Sequence, residues 1–178
     1  MTQDHATGTG RVQALRDAFD STFSLAPPTA GDPPEDLLAI RVGQAPYALR
    51  LSEITGLYAN KPVTRLPGTS PELLGIAGFR GAIVAVYDLR VLLGAEVTEP
   101  SRWLVLASPD STVGFAFDRF EGHLRVSRNA IATHAGGEGT YLDVQETVRL
   151  ANVVRPIVRV PALLEAINVT KESQEKES

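Results

Sequence analysis

Residues 75–93 read GIAGFRGAIVAVYDLRVLL, and this segment predicts a β-hairpin. Two short apolar runs, 75–79 and 82–87, flank the dipeptide Arg80-Gly81, a pattern typical of buried strands joined by a tight turn. Gly81 can adopt the positive φ angle that such a turn needs. The turn does not explain Arg80, because Asn or Asp would suit its position better. A long cation at the tip of a buried hairpin instead predicts a surface contact.

Composition and charge narrow the possible functions. With 178 residues, 43% of them hydrophobic, the chain can bury one substantial core, which can be divided in two. A net charge of −4 provides no basic field for a phosphate backbone, so we expect no nucleic-acid partner. The ten N-terminal residues are polar, and no apolar run approaches the roughly 18–20 residues of a membrane span. These features predict a cytoplasmic protein without a signal peptide or membrane insertion.

Catalytic and metal-binding constellations are missing from the sequence. The chain has no cysteine, which excludes disulfides, thiolate nucleophiles and cysteine-ligated zinc. The three histidines, His5, His123 and His134, are isolated and match no zinc-binding spacing. No serine or threonine has an identifiable base beside it. We therefore expect no enzymatic activity, no metal and no cofactor.

Proline-rich sequence separates an N-terminal arm from the rest of the chain. Within the arm, residues 1–25, the segment 11–23 predicts an amphipathic helix that either docks on the main domain or binds a partner. Its apolar stripe consists of Val12, Leu15, Phe19 and Phe23. Residues 26–35 contain four prolines and predict a semi-rigid linker. The main domain is expected at 36–167, followed by a disordered tail at 168–178.

Short strands with glycine turns dominate the main domain and predict small barrels or a sandwich. Helical turns are expected at 71–74 and 162–167. A weak internal repeat favours two pseudo-equivalent barrels, because 49–57 aligns with 115–123 and 79–93 aligns with 150–164. The strands are expected at 37–42, 47–51, 54–58, 63–66, 75–79, 82–87, 103–107, 113–120, 123–126, 148–154 and 156–160.

Five ordered motifs within 36–167 resemble the CheW-like domain, the adaptor module of bacterial chemosensory arrays. The segment 75–89 resembles G-x-x-N-L-R-G-x-I-x-P-φ-x-D-L, and 51–57 (LSEITGL) resembles V-x-E-I-x-G-φ. Residues 63–67 (VTRLP), 113–118 (VGFAFD) and 155–164 (RPIVRVPALL) resemble the family's v-T-x-φ-P, V-G-φ-x-V-D and φ-φ-x-D-φ-x-x-L-L motifs. The resemblance implies a mainly β fold of two five-stranded SH3-like barrels around a shared hydrophobic seam, with short helical turns and no catalysis.

The resemblance also implies partners and site residues. CheW-like domains bridge the hairpin tip of chemoreceptor coiled coils to the regulatory domain of a histidine kinase. The resemblance assigns receptor binding to Arg80, Glu53, Leu51 and Gly75. It implies that Arg80 and Glu53 lie close together, and strand alternation places Leu51 on the same face as Glu53. Plainer alternatives are an ordinary surface ion pair for the two charged residues, a core position for the leucine and a backbone requirement for the glycine.

Some positions depart from the family pattern. The hairpin motif differs at Gly78, Phe79 and Ala85, where the family has Asn, Leu and Pro. In the closing motif Arg159 replaces an acidic or amide residue, and Pro161 removes an amide donor. A possible kinase interface comprises Arg159, Val160 and Pro161, where unpaired guanidinium groups of Arg155 and Arg159 would carry a desolvation cost. We therefore expect kinase coupling to be weaker than receptor binding.

The sequence thus predicts a non-enzymatic adaptor at membrane-associated or cytoplasmic receptor arrays. It would bind the cytoplasmic tip of methyl-accepting chemoreceptors and couple it to a CheA-type histidine kinase. One alternative is a CheW-like receptor-binding variant without kinase contact. An alternative of a different class is a small barrel enzyme or ligand-binding protein that uses the seam between the barrels as a pocket.

Overall fold

A computed structural model describes residues 33–67, 70–97, 99–107, 112–133 and 146–175, with side chains up to residue 168. The helix predicted at 11–23 and most of the linker predicted at 26–35 lie outside the described residues. Within the described part of the chain, neither helix combines the length and hydropathy that a membrane span requires.

Eleven strands and two helices make up the described regular structure, together with two 3₁₀ turns at Leu51–Glu53 and Arg128–Ala130. The helices are α1 (Leu89–Leu92) and α2 (Val160–Glu175). The strands are β1 (Glu35–Val42), β2 (Ala45–Arg50), β3 (Ile54–Ala59), β4 (Leu73–Phe79), β5 (Ala82–Asp88), β6 (Trp103–Ala107), β7 (Val113–Phe117), β8 (Arg119–Val126), β9 (Ile131–Thr133), β10 (Glu146–Leu150) and β11 (Val153–Val158).

The strands form two mixed sheets. The six-stranded sheet has the order β8-β1-β2-β11-β10-β9, and the five-stranded sheet has the order β3-β6-β7-β5-β4. One strand pair in each sheet is parallel, β2 with β11 and β7 with β5, and the other pairs are antiparallel. Strands β1 and β2 therefore belong to the same sheet as the C-terminal strands. The six-stranded sheet is thus not built from one continuous half of the chain.

The predicted internal repeat is visible in the pairing pattern. The order β3-β6-β7-β5-β4 in one sheet is equivalent to the order β8-β1-β2-β11-β10 in the other. All four neighbouring pairs also run in the same relative directions in the two sheets. The register shifts also match, since the shift in β3 skips Thr55 and the shift in β8 skips Glu121. These are equivalent positions in the alignment of 49–57 with 115–123. Bulges at matching positions indicate that the two sheets are variants of one unit.

The core agrees with two packed units. One cluster of buried side chains draws on both sheets and on α2, and includes Ile40, Leu49, Val105, Phe115, Phe117 and Leu163. Each sheet also has a smaller cluster of its own, around Val86 and Leu104 in the five-stranded sheet and around Leu37 and Val148 in the six-stranded sheet. Strand β1 is buried over consecutive residues because its two faces serve different clusters. The predicted mainly β fold of two strand units with few helices is confirmed, with six strands in one sheet where five were expected.

Element boundaries differ from the sequence prediction in several places. The strand expected at 63–66 is wrong, because only Thr64 is paired there, as an isolated bridge with Ile76. The helical turn expected at 71–74 is wrong, because β4 already begins at Leu73. The strand expected at 113–120 is interrupted at Asp118, whose carboxylate accepts a hydrogen bond from the backbone N–H of Gly43 (2.6 Å). The strand expected at 148–154 contains a turn at Ala151-Asn152, with a φ of +50° at Ala151. No glycine or proline marks this turn in the sequence, which is why it was missed.

A further difference concerns the C-terminal segment. Helix α2 extends from Val160 to Glu175, so residues 168–175 are helical where the sequence analysis predicted disorder, and the predicted turn at 162–167 is only the middle of this helix. Buried apolar residues at helical spacing, Val160, Leu163 and Ile167, attach the first two turns to the core. Good helix formers such as Lys171, Glu172 and Gln174 continue it.

Candidate functional site

Arg80 lies at the tip of the β4–β5 hairpin, as predicted. The register pairs Phe79 with Ala82, which leaves Arg80-Gly81 as a two-residue turn with φ angles of +47° and +86°. Both central residues of a type I′ turn have such positive φ angles, and Asn or Gly adopts them with less strain than Arg. The arginine is exposed, and no ion pair of Arg80 is found among the described residues. Its guanidinium group is available to a partner.

An exposed apolar side chain accompanies Arg80. Ile83 is 68% exposed, the largest value among the exposed large hydrophobic residues of the described chain. Its partner across the hairpin is Gly78, which has no side chain to cover it. At the last residue of β4 before the turn, the ammonium group of Lys61 lies 4.7 Å from the ring centroid of Phe79. The hairpin tip therefore presents one free guanidinium group and one uncovered aliphatic side chain.

Gly75 has a structural role within β4. Its φ is +144°, and it is buried. A Cβ atom at this position would lie 2.1 Å from the carbonyl oxygen of Thr64, which belongs to a segment paired with β4. Only glycine combines this backbone conformation with so close an approach of another chain segment. The structure thus supports the backbone explanation of Gly75, whereas its receptor-binding role stays a prediction.

Leu51 and Glu53 lie in the 3₁₀ turn that connects β2 of the six-stranded sheet with β3 of the five-stranded sheet. They do not share the face of a strand, so the expectation based on strand alternation is wrong. Both residues are half-buried. The Glu53 carboxylate accepts a hydrogen bond from the backbone N–H of Val160 (2.7 Å) and lies 3.9 Å from the Arg50 guanidinium group. Glu53 is therefore occupied by contacts within the chain.

The possible kinase-interface residues surround the start of α2. Arg159 and Pro161 are exposed, whereas Val160 is only 1% exposed and belongs to the shared core. Pro161 falls in the first turn of the helix, where a missing N–H breaks no helical hydrogen bond. The hydrogen bond from Val160 to Glu53 places this segment beside a residue predicted for receptor binding. The structure thus brings together Glu53 and Val160, and no ion pair or hydrogen bond between Glu53 and Arg80 is present in the described chain.

Comparison of the two halves explains why Glu53 is used in this way. In the repeat alignment, Asp88 before α1 corresponds to Arg159 before α2. The Asp88 carboxylate accepts a hydrogen bond from the backbone N–H of Arg90 (3.0 Å) and so caps its own helix. Arg159 has no acceptor in its side chain and cannot do the same. Glu53 supplies a carboxylate from a different part of the chain, and it accepts from Val160 N–H because Pro161, at the position equivalent to Arg90, has no N–H.

Sequence reasoning missed a buried ionic cluster at the end of β5. The Asp88 and Arg90 side chains are each 2% exposed and pair at 2.6 Å, and Arg90 also contacts Asp118 at 3.0 Å and the carbonyl oxygen of Glu99. The hydrogen bond with Asp88 raises the pKa of Arg90 above its ordinary value, although burial opposes this. Asp88 and Asp118 are the acidic residues of the family-like motifs at 75–89 and 113–118. A basic partner for these two carboxylates could therefore have been sought in the sequence, and Arg90 is two residues from Asp88.

A second cluster corrects the prediction for Arg155. Its guanidinium group pairs with Glu121 at 2.7 Å, and Arg41 contacts the other oxygen of the same carboxylate at 2.8 Å. The largest single effect on the pKa of Glu121 is burial, which raises it. The hydrogen bonds from Arg155 and Arg41 together outweigh burial, so that the pKa of Glu121 is lowered overall. Arg155 is therefore not an unpaired cation. Among the described residues of the closing motif, Arg159 is the only arginine without an ion-pair partner.

Across the residues that the structure describes, no three His, Asp or Glu side chains are grouped so that they could hold a metal ion. His123 is exposed, and one ring nitrogen lies 2.9 Å from the carboxylate of Asp36.

The fold and the hairpin site together define a β protein built from two variants of one strand unit around a shared core. The sequence model of the CheW-like domain matches residues 36–168, three-quarters of the chain. This chain belongs to the CheW-like domain family.

Individual relatives agree with this assignment. The chain is 25% identical over 136 residues to the chemotaxis protein CheW of Bacillus subtilis (strain 168), covering 74% of this chain and 87% of that protein. It is 24% identical over 123 residues to the chemotaxis protein CheW of Helicobacter pylori (strain ATCC 700392 / 26695), covering 66% and 74%. The crystal structure of the scaffolding protein TtCheW from Thermoanaerobacter tengcongensis superimposes with a TM-score of 0.64 at 18% identity, over 72% of this chain and 90% of that one.

Proposed function

We propose that this protein is a non-enzymatic adaptor of a bacterial chemosensory system. It binds the cytoplasmic tip of methyl-accepting chemoreceptors and couples it to a CheA-type histidine kinase, at receptor arrays in the cytoplasm. Membership of the CheW-like domain family over residues 36–168 supports this proposal, as does the similarity to relatives that are named chemotaxis protein CheW.

The proposed receptor contact is argued mainly from the exposed tip of the β4–β5 hairpin. Ala151 occupies the position equivalent to Arg80 in the second hairpin and has nearly the same φ, +50° against +47°. The two turns therefore share the positive φ of their first residue, whereas the second residue has a positive φ in the first tip, at Gly81, and not in the second, at Asn152. A guanidinium group beside the uncovered Ile83 is suited to a helix that offers a carboxylate and an adjacent apolar side chain.

Kinase coupling uses the segment around Arg159, Val160 and Pro161. Because Val160 is buried, the surface offered to the kinase consists of Arg159 and Pro161. Since Arg155 is neutralised by Glu121, the desolvation cost of an unpaired guanidinium group falls on Arg159 alone. We therefore expect measurable kinase binding that is weaker than receptor binding.

Calorimetry with a chemoreceptor cytoplasmic fragment tests the receptor contact. Arg80→Glu places a carboxylate opposite the carboxylate of the partner, and we expect it to weaken binding by ~2–3 kcal/mol, roughly 30- to 150-fold. Unfolding by urea should be unchanged, because Arg80 is exposed at a turn. The matched control is Arg119→Glu, the same charge change at an exposed arginine of β8 in the other sheet.

Each outcome of this experiment has a defined meaning. Equal affinities of the Arg80→Glu variant and the unmodified protein would refute the hairpin contact, and an equal loss in Arg119→Glu would show a general charge effect instead. Titration against the isolated regulatory domain of the kinase completes the test. Affinity equal to that for the receptor would contradict the weakened coupling, and a complete absence of binding would favour the receptor-binding variant without kinase contact.

A further inference from the structure

A cavity of about 430 Å³ lies beside the five-stranded sheet. Its lining comes from the segment between β3 and β4, from β4 and β6, and from the loop that follows α1. This volume falls within the range of small-molecule pockets, which is about 300–1,000 Å³. The adaptor function proposed above makes no use of this cavity.

The cavity is positively charged. Four cationic side chains, those of Lys61, Arg65, Arg90 and Arg102, line it together with only two carboxylates, whereas the whole chain carries a net charge of −4. Arg90 is already neutralised by its buried pair with Asp88. The other three cations have no ion-pair partner among the described residues. Three cations without an ion-pair partner against one remaining carboxylate, that of Glu99, leave this concave surface with a net positive charge, which favours an anionic ligand.

The same cavity has apolar walls and an unsatisfied hydroxyl group. Val63, Leu74 and Leu104 contribute hydrocarbon surface, and the last of these belongs to the inner cluster of the five-stranded sheet. Ser101 also lines the cavity, and its Oγ is buried without a hydrogen-bond partner in the described structure. Because nearly all buried polar groups in folded proteins are hydrogen-bonded, this hydroxyl group can bond either to a ligand in the cavity or to a water molecule.

We propose that this cavity binds a small organic anion that has a short apolar body, such as an aliphatic carboxylate. The carboxylate lies among Lys61, Arg65 and Arg102, where charge-assisted hydrogen bonds hold it. The hydrocarbon part contacts Val63, Leu74 and Leu104. An inorganic anion would leave these walls uncovered, and a neutral hydrocarbon would leave the three cations unpaired, so each part of the ligand is needed.

Three probes separate these contributions. Isothermal calorimetry of the full chain with octanoate, inorganic phosphate and 1-octanol should give saturable binding of octanoate, with the other two at least about tenfold weaker. Octanoate should also raise the unfolding temperature, because it binds the folded chain. Phosphate or 1-octanol that binds as tightly as octanoate would overturn the proposal, as would the absence of saturable octanoate binding in the millimolar range.

Variants locate the site. Lys61→Ala and Arg102→Ala should each weaken octanoate binding about five- to tenfold, whereas Arg119→Ala, at an exposed arginine in the other sheet, should leave it unchanged. Methyl NMR signals of Leu74 and Leu104 should shift on titration, and those of Leu163 in the shared core should not. Octanoate affinity that is unaffected by both cation variants, or shifts confined to Leu163, would place the ligand elsewhere and refute the site. Receptor binding is measured separately with Arg80→Glu, so the two proposals fail independently.

Discussion

Replacement of Gly75 by alanine tests whether this glycine serves the backbone or a partner. Two costs can be worked from the structure. A φ of +144° is a conformation that side-chain-bearing residues adopt at a cost of about 1–3 kcal/mol. In addition, the new Cβ would lie 2.1 Å from the carbonyl oxygen of Thr64, so the segment around Thr64 must move.

Movement of that segment breaks a matched pair of backbone hydrogen bonds. Thr64 N–H donates to Ile76 O (2.8 Å), and Ile76 N–H donates to Thr64 O (2.9 Å). Each contributes a net ~0.5–1.5 kcal/mol. Together with the conformational cost, Gly75→Ala should lower the free energy of unfolding by about 2–6 kcal/mol. This is a large share of the roughly 5–15 kcal/mol that stabilises a typical domain.

Urea unfolding followed by tryptophan fluorescence measures this loss directly. The chain has a single tryptophan, Trp103, whose ring lies 5.4 Å from that of Phe120, so its emission reports on the folded packing. With a denaturant slope of about 1–3 kcal/mol/M, the midpoint should fall by about 1 M or more. The matched control is Gly78→Ala in the same strand, where φ is ordinary and no atom lies within 4 Å of an added Cβ. We expect the control to unfold within about 0.5 kcal/mol of the unmodified protein.

The result separates the two explanations of Gly75. A Gly75→Ala variant that unfolds at the same urea concentration as Gly78→Ala would refute the steric argument. If that stable variant also bound the receptor fragment weakly, Gly75 would contribute to the partner contact directly, as the family resemblance implies.

Two further predictions concern contacts that join distant parts of the chain. Glu53→Ala should destabilise the protein by ~1 kcal/mol in urea unfolding because Val160 N–H loses its acceptor, whereas Glu53→Gln, which keeps an oxygen acceptor, should lose less; equal losses in the two variants would argue against the capping role. The lowered pKa of Glu121 means that its pairing contributes fully above the ordinary value of 4.5 and is lost as the pH falls through the lower folded-state pKa. The stability difference between the unmodified protein and Glu121→Gln should therefore be constant near neutral pH and shrink in acid, whereas a difference independent of pH would contradict this explanation.

Local patterns in the sequence were sufficient for much of the fold. The apolar runs around Arg80-Gly81 predicted the β4–β5 hairpin and its turn, because strand periodicity and turn chemistry act between neighbouring residues. The two alignments that suggested a repeat correspond to equivalent strands with matching register shifts. Turns without glycine or proline, such as Ala151-Asn152, have no strong local signal and were missed.

The tertiary structure alone decided which charged groups meet. Glu53 caps a helix that begins 107 positions further along the chain, Arg155 is neutralised by Glu121, and Arg90 bridges Asp88 and Asp118. None of these pairings has a fixed sequence spacing, because each depends on strand order, and β1 and β2 lie beside strands from the opposite end of the domain. Sequence could identify Glu53 and Arg80 as unusual residues. Only the packing of the two sheets shows that the glutamate is used within the fold while the arginine remains free at the surface.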